Sequence, residues 1–216
     1  MRDGVVLLHA LARRPGSMAR LAEALAASGY ETLAPAYPSR RKTIADIARG
    51  LAPAIAVFGA RVDRLHFVGH SMGGLVARAV IAGSRPARLG AVVTLGTPHG
   101  GSEIVDLLQR SAAFRAFYGP AFAELSRAAS ADLNARLGPL DYPLGAIAGT
   151  RALNVVAGWF VLPRPNDGTV SVASAQPPGA WDRCLVACDH LSLPRDRRVM
   201  ALACEFLTEG RFRSKA

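Results

Sequence analysis

The sequence predicts an α/β fold: a mostly parallel, doubly wound sheet with helices on both faces. Three observations carry this. Up to about residue 95, short apolar runs of strand length alternate with stretches of helical periodicity, and that alternation requires crossovers between parallel strands. The pentapeptide Gly69-His70-Ser71-Met72-Gly73 falls at one strand-to-helix junction. The length of 216 residues, 50% apolar and 19% charged, suits a single domain, residues 1–216, with a sizeable core.

Residues 5–9 form a short Val/Leu run, as a buried strand should. Ser17 is placed to cap a helix over 17–28, with a core face at Leu21, Ala24, Leu25 and Ala26 and a stop at Gly29. Residues 31–36 are the second strand, closed by Tyr37-Pro38. Thr43 and Asp46 have the spacing of a capping box for a helix to about Gly59. Residues 65–69 are the third strand, 74–82 the helix after it, and 90–95 the fourth strand.

From residue 99 to 142 no strand is evident. Residues 104–109 and 122–137 read as helices, with Phe114, Phe117, Tyr118 and Phe122 clustered between them around Gly119-Pro120. An insertion at this point suits a helical cap or lid over the site. Residues 144–148 resume the sheet, a Pro/Asn/Gly-rich loop follows, 183–187 are the last strand and 195–207 a closing helix.

The pentapeptide is a G-x-S-x-G motif, and the strand before it and helix after it make it a nucleophile elbow. Its glycines admit a strained turn where side chains would collide with the neighbouring strand and helix. The helix start aims free N–H groups at Ser71, where negative charge develops in acyl transfer. Such a serine requires an acid and then a base later in the chain.

Of five histidines, His66 lies within a strand, His9 ends the first, His70 sits in the elbow and His99 precedes any plausible acid. His190 alone follows the last strand and is the expected base. Asp167, in Asn166-Asp167-Gly168, is the expected acid, since Gly168 lets the backbone turn and present the carboxylate. The alternatives are Asp141, before a strand, Asp182, and Asp189, whose side chain in an extended segment should point away from its neighbour His190. The oxyanion is assigned to the N–H groups of Met72 and Leu11, with Ala10 as the alternative to Leu11. His9, Ala10, His70, Thr97 and Pro98 lie at the carboxyl ends of the strands, where doubly wound sheets form their sites, and are expected to bind substrate.

The formal charge is +10, nearly all from arginine scattered along the chain. Arg13-Arg14, Arg40-Arg41-Lys42 and Arg195-Asp196-Arg197-Arg198 are short runs outside any recognisable nucleic-acid module, so no nucleic-acid partner is expected. A weak contact with anionic membrane surfaces is the functional alternative to a solvated arginine-rich surface. No apolar run is long enough to span a membrane. The three cysteines have no zinc spacing and read as reduced, buried or nearly buried thiols. The N-terminus has no signal-peptide pattern, which predicts a cytoplasmic protein, or a secreted or periplasmic one if a leader precedes it.

With these residues placed, the chain resembles the α/β-hydrolases of bacterial lipase and esterase type over nearly its whole length. Leu8-His9-Ala10-Leu11 resembles the family's oxyanion segment, Gly69-His70-Ser71-Met72-Gly73-Gly74 its elbow, and Gly96-Thr97-Pro98-His99-Gly100-Gly101-Ser102 a segment common in lipase-like members. Asn166-Asp167-Gly168 and Asp189-His190-Leu191 resemble the acid and base segments. The resemblance implies a minimal version of that fold. It also implies hydrolysis of small-molecule or lipid acyl esters through a Ser71-His190-Asp167 triad, without an organic cofactor. A thioesterase or amidase could use the same triad, and a non-catalytic binding protein the same fold. Two departures stand out: Ala10 replaces the family's usual glycine, and Ser192 stands where some lipases place a calcium-binding aspartate, so no metal is expected.

Overall fold

The computed structural model describes residues 2–152 and 161–213. Six strands form one sheet: β1 (Gly4–Leu8), β2 (Glu31–Leu33), β3 (Leu65–His70), β4 (Leu89–Leu95), β5 (Leu144–Gly149) and β6 (Asp182–Val186). Their order is β2-β1-β3-β4-β5-β6, and every neighbouring pair is parallel. The chain moves outward from β1 to β2, then returns to the other side of β1 with β3. The crevice of this parallel sheet therefore opens beyond the carboxyl ends of β1 and β3. Register sets what meets there: Leu8 pairs with Gly69 and His70 with Leu95.

The helices among the described residues are α1 (Ala19–Ala27), α2 (Ile44–Gly59), α3 (Met72–Gly83), α4 (Glu103–Leu108), α5 (Ala112–Tyr118), α6 (Pro120–Glu124), α7 (Arg127–Leu137), α8 (Val172–Ala175) and α9 (Arg197–Glu209). The strands sort their side chains by alternation. Val6 and Leu8 join Phe67, Ala146 and the apolar faces of α2, α3 and α7 in one core. Val5 and Leu7 join Val68, Val93, Ile147 and the faces of α1 and α9 in the other. Both faces of the sheet are thus covered, which is why its strands are continuously apolar rather than alternating.

Several local expectations are corrected. Ser17 does not cap α1: its hydroxyl donates to the Arg14 carbonyl within a 3-10 turn over Pro15–Met18, and the α-helix starts after Met18. Pro15 favours that turn because its fixed φ suits a first helical position. β2 stops at Leu33, short of Pro35, whose missing N–H cannot extend a ladder. Thr43 does cap α2, accepting from the Asp46 N–H at 3.1 Å and donating to Asp46 Oδ2 at 2.7 Å. The expected 122–137 helix is two helices, because Ser126 caps α7 by accepting from the Ala129 N–H. The closing helix starts two residues later than expected, capped by Asp196, and runs to Glu209. The short α8, capped by Ser171, was not anticipated. The loop expected after β5 lies partly outside the described residues.

Between β4 and β5 the chain inserts α4 to α7. Gly119 ends α5 at φ +76°, and a Cβ there would sit 1.7 Å from the Arg40 carbonyl oxygen. Only glycine allows that approach between the insertion and the loop after β2. The expected aromatic cluster forms as a run of ring contacts: Tyr118 packs against Phe114, Phe117 and Phe122 at 6.2, 5.0 and 4.9 Å. Phe122 is buried, whereas Phe114 and Phe117 are exposed.

Candidate active site

Ser71 occupies the turn between β3 and α3 with φ +54°, one of two described non-glycine residues at positive φ. Such a backbone costs roughly 1–3 kcal/mol and persists only where its surroundings enforce it. Here the Ser71 N–H donates to the Leu95 carbonyl at 2.8 Å. The Ser71 carbonyl accepts from the Thr97 hydroxyl at 2.8 Å and from the Gly74 N–H at 3.0 Å. Three glycines leave the space. A Cβ on Gly69 would meet Gly74 Cα at 2.4 Å, one on Gly73 the Leu8 oxygen at 2.1 Å, and one on Gly74 Thr97 Oγ1 at 2.2 Å.

Asp167 sits in a turn closed by the Asn166–Ser171 bridge, with Gly168 at φ +88°. Its Oδ1 accepts from the N–H groups of Thr169 at 3.0 Å and Val170 at 2.7 Å. Its Oδ2 lies 2.7 Å from His190 Nδ1, and both side chains are buried. With a carboxylate on one side, that nitrogen carries the proton and leaves His190 Nε2 free to accept one. The His190 N–H also donates to the Asp167 carbonyl at 3.0 Å.

Two glycines to which the sequence assigned no spatial role make this pairing possible. A Cβ on Gly96, at φ +54°, would stand 2.9 Å from Asp167 Oδ2 and 3.1 Å from His190 Nδ1; one on Gly149 would stand 2.8 Å from Asp167 Cβ. Their only sequence signal is a glycine directly at a strand's carboxyl end.

The rival acids are otherwise engaged. Asp189 Oδ1 accepts from the N–H groups of Leu191 and Ser192. Asp141 pairs with Arg85 on the surface at 2.8 Å. Asp182 accepts from the Phe212 N–H at 2.8 Å. The other histidines are likewise occupied. His66 Nδ1 accepts from the Ala91 N–H within the sheet. His99 Nδ1 faces the Arg78 guanidinium at 3.2 Å, and burial together with that cation pushes its pKa down to about 3.

His9, His70 and Thr97 were expected to bind substrate, but they do not line the cavity beside Ser71; they hold its walls. His9 stacks on Tyr37 at 3.8 Å, and its Nδ1 donates to the Ala10 carbonyl at 2.9 Å. The Tyr37 hydroxyl donates to the His9 carbonyl. His70 Nε2 donates to the His190 carbonyl at 2.9 Å, and burial, with His190 beside it, holds the His70 ring neutral well below its usual range. Thr97 is spent on the elbow.

Ala10 and Pro98 do line the cavity, as do Leu11, Ser71 and His190. Most of the remaining wall is apolar and comes from the insertion, Ile104, Val105, Leu108, Tyr118, Phe122 and Leu125, with Ser102 and Thr169 as polar members. The volume is about 220 Å³. Ser71 and His190 share it without a direct hydrogen bond, a contact that commonly tightens only when substrate binds. Met72 is the first residue of α3, where a helix leaves its N–H groups unpaired. Arg13 also borders the cavity and was not anticipated as part of the site.

The likeness to solved structures is broad. The mature lipase BlEst2 of Bacillus licheniformis superimposes with a TM-score of 0.79 at 21% identity, covering 95% of this chain and 92% of that one. A metagenomic carboxyl esterase, MGS0156, gives 0.70 at 21% identity over 88% and 65% of the two chains. The lin2722 product of Listeria innocua gives 0.65 at 15% over 97% and 94%. At such identities the likeness shows the fold alone. No curated protein matches the sequence significantly. The sequence itself carries the assignment: residues 5–211 match the alpha/beta hydrolase family, and the chain belongs to it.

Proposed function

We propose that this chain is a serine hydrolase that cleaves carboxylic esters through Ser71, His190 and Asp167. The observation that carries the reading is the buried Asp167–His190 pair, which borders the same apolar cavity as a serine held at positive φ. Ser71 Oγ attacks the acyl carbon while His190 Nε2 takes the hydroxyl proton. Asp167 fixes the Nδ1–H tautomer and balances the imidazolium charge. The N–H groups of Met72 and Leu11 stabilise the tetrahedral oxyanion. Collapse breaks the ester C–O bond, and the departing alkoxide takes the proton from His190 to leave as the alcohol. Water then gives its proton to His190 and attacks the acyl-serine, and the acid is released as Ser71 regains its proton.

The acyl chain lies against Ala10, Leu11, Pro98 and the insertion, which together favour apolar acyl groups over charged ones. Ala10 narrows the oxyanion loop by one methyl group. A fluorophosphonate probe tests the nucleophile: the wild-type protein should label on Ser71, and labelling that survives Ser71→Ala would overturn the assignment.

A further inference from the structure

A second, open cleft of about 410 Å³ adjoins the cavity beside Ser71. Its charged lining is Arg13, Arg14, Arg40 and Arg41, and Arg13 borders both spaces. No carboxylate among the described residues lines either one. Among the described residues, none of these four arginines forms an ion pair. Two acids that meet the start of α2, beside the second loop, are occupied: Asp46 with Thr43 and Arg49, and Glu124 with the Ile44 N–H and Arg136. Four of the chain's cationic side chains therefore stand together, without a paired acid, at one side of the site.

The cleft is a built feature rather than a fringe of mobile side chains. Its two loops, after β1 and after β2, are clipped together where the Ala12 N–H donates to the buried Ser39 hydroxyl at 3.0 Å. The Tyr37–His9 contact ties them a second time. The close approach of Gly119 to the Arg40 carbonyl fixes the second loop against the insertion. The Arg40 guanidinium lies 4.7 Å over the Phe117 ring, which limits its rotamers and leaves its edge donors for a ligand.

Because Arg13 borders both spaces, an ester whose acyl chain fills the apolar cavity can extend its alcohol side into the cleft. We propose that the arginine cleft is a subsite for a phosphate on that side, so that the preferred substrates are acyl esters of phosphorylated alcohols. The inference rests on the ester-hydrolase reading above. Several guanidinium groups with no acid among them match a multiply charged oxyanion, which they bind through paired N–H donors. A single carboxylate would leave most of that charge unmatched.

The test compares the butyryl esters of glycerol and of glycerol 3-phosphate, both as monomers in solution, on the wild-type protein and on an Arg40→Gln/Arg41→Gln variant. The wild type should prefer the phosphate ester by about 10- to 100-fold in kcat/KM, the size expected of charge-assisted hydrogen bonds to one oxyanion. The preference should shrink with added salt and collapse in the variant. Arg49→Gln, on α2 outside both spaces, should retain it. An equal rate on both esters overturns the proposal. So does a gain seen only on vesicles when phosphatidylglycerol is added to phosphatidylcholine, because the arginines would then serve surface docking. Calorimetry of glycerol 3-phosphate with the Ser71→Ala protein reads the subsite without catalysis. Arginine-dependent binding supports it even if the hydrolase reading fails, and its absence overturns it.

Discussion

Gly96→Ala probes the seat of the Asp167–His190 pair. The residue has φ +54°, and its added Cβ would meet Leu193 Cδ1 at 2.7 Å, Asp167 Oδ2 at 2.9 Å and His190 Nδ1 at 3.1 Å. The leucine methyl can rotate away. The other two atoms are locked to each other at 2.7 Å and to the backbone around them. Placing alanine in the left-handed region costs about 1–2 kcal/mol, and overpacking adds about 1–3 kcal/mol. The variant should therefore lose roughly 2–5 kcal/mol of stability, or about 5–15 °C in Tm for a chain of this size. If the imidazole is displaced by about 1 Å, kcat should fall about 100-fold. KM should change little, because the acyl wall is untouched. Saturation kinetics on p-nitrophenyl butyrate, run beside thermal melts, read both effects. Gly50→Ala is the control: its Cβ meets nothing within 4 Å, on the exposed side of α2. That variant should gain about 0.5–1 kcal/mol with activity unchanged. A Gly96→Ala protein whose kcat stays within about threefold of wild type would refute the placement of the pair at the reacting centre.

Asp167→Asn should lower kcat by roughly 10³- to 10⁴-fold, since the amide cannot enforce the tautomer, whereas Asp141→Asn, in an exposed pair with Arg85, should leave it unchanged. Equal losses in the two variants would contradict the assigned acid. Acid should destabilise the fold between about pH 6.5 and pH 3. The unfolded chain protonates His99 near its ordinary value, while the folded chain holds it neutral to about 3, so the unfolded state binds more protons in that window. From pH 7 to pH 5 this one group removes about 2 kcal/mol, and His70 acts in the same direction. Urea midpoints across that range check the sign, with a shallower slope expected for His99→Gln; a flat wild-type profile would contradict it.

Much of this site was legible because its determinants are local. Strand patterning, the elbow glycines and the order Ser71, Asp167, His190 are properties of short segments, and each segment keeps its character wherever the fold carries it. The pairing of His190 with Asp167 was legible for the same reason, since a turn with Gly168 presents a carboxylate; Asp189 instead turns its carboxylate onto the N–H groups of Leu191 and Ser192. Helix boundaries were less so. Ser17 and Ser126 are the same residue type with the same capping chemistry. Only Ser126 caps, because Pro15 had already committed the chain around Ser17 to a 3-10 turn.

The roles of His9, His70 and Thr97 could not be read from position. All three stand at strand ends near Ser71, yet each turns into the protein to fix a neighbour: His9 against Tyr37, His70 on the His190 carbonyl, Thr97 on the Ser71 carbonyl. Which way a side chain turns depends on partners 28, 120 and 26 residues away, and no local pattern encodes them.

The sequence by itself determined the sheet, the elbow and the candidate triad, because apolar periodicity, glycine spacing and residue order are written along the chain. Only the tertiary structure decided that Gly96 and Gly149 clear space for Asp167 and His190, and that four arginines from two loops face one cleft beside the serine. Those facts arise where segments distant in sequence approach within a few ångströms, and close packing across that gap decides which atoms fit.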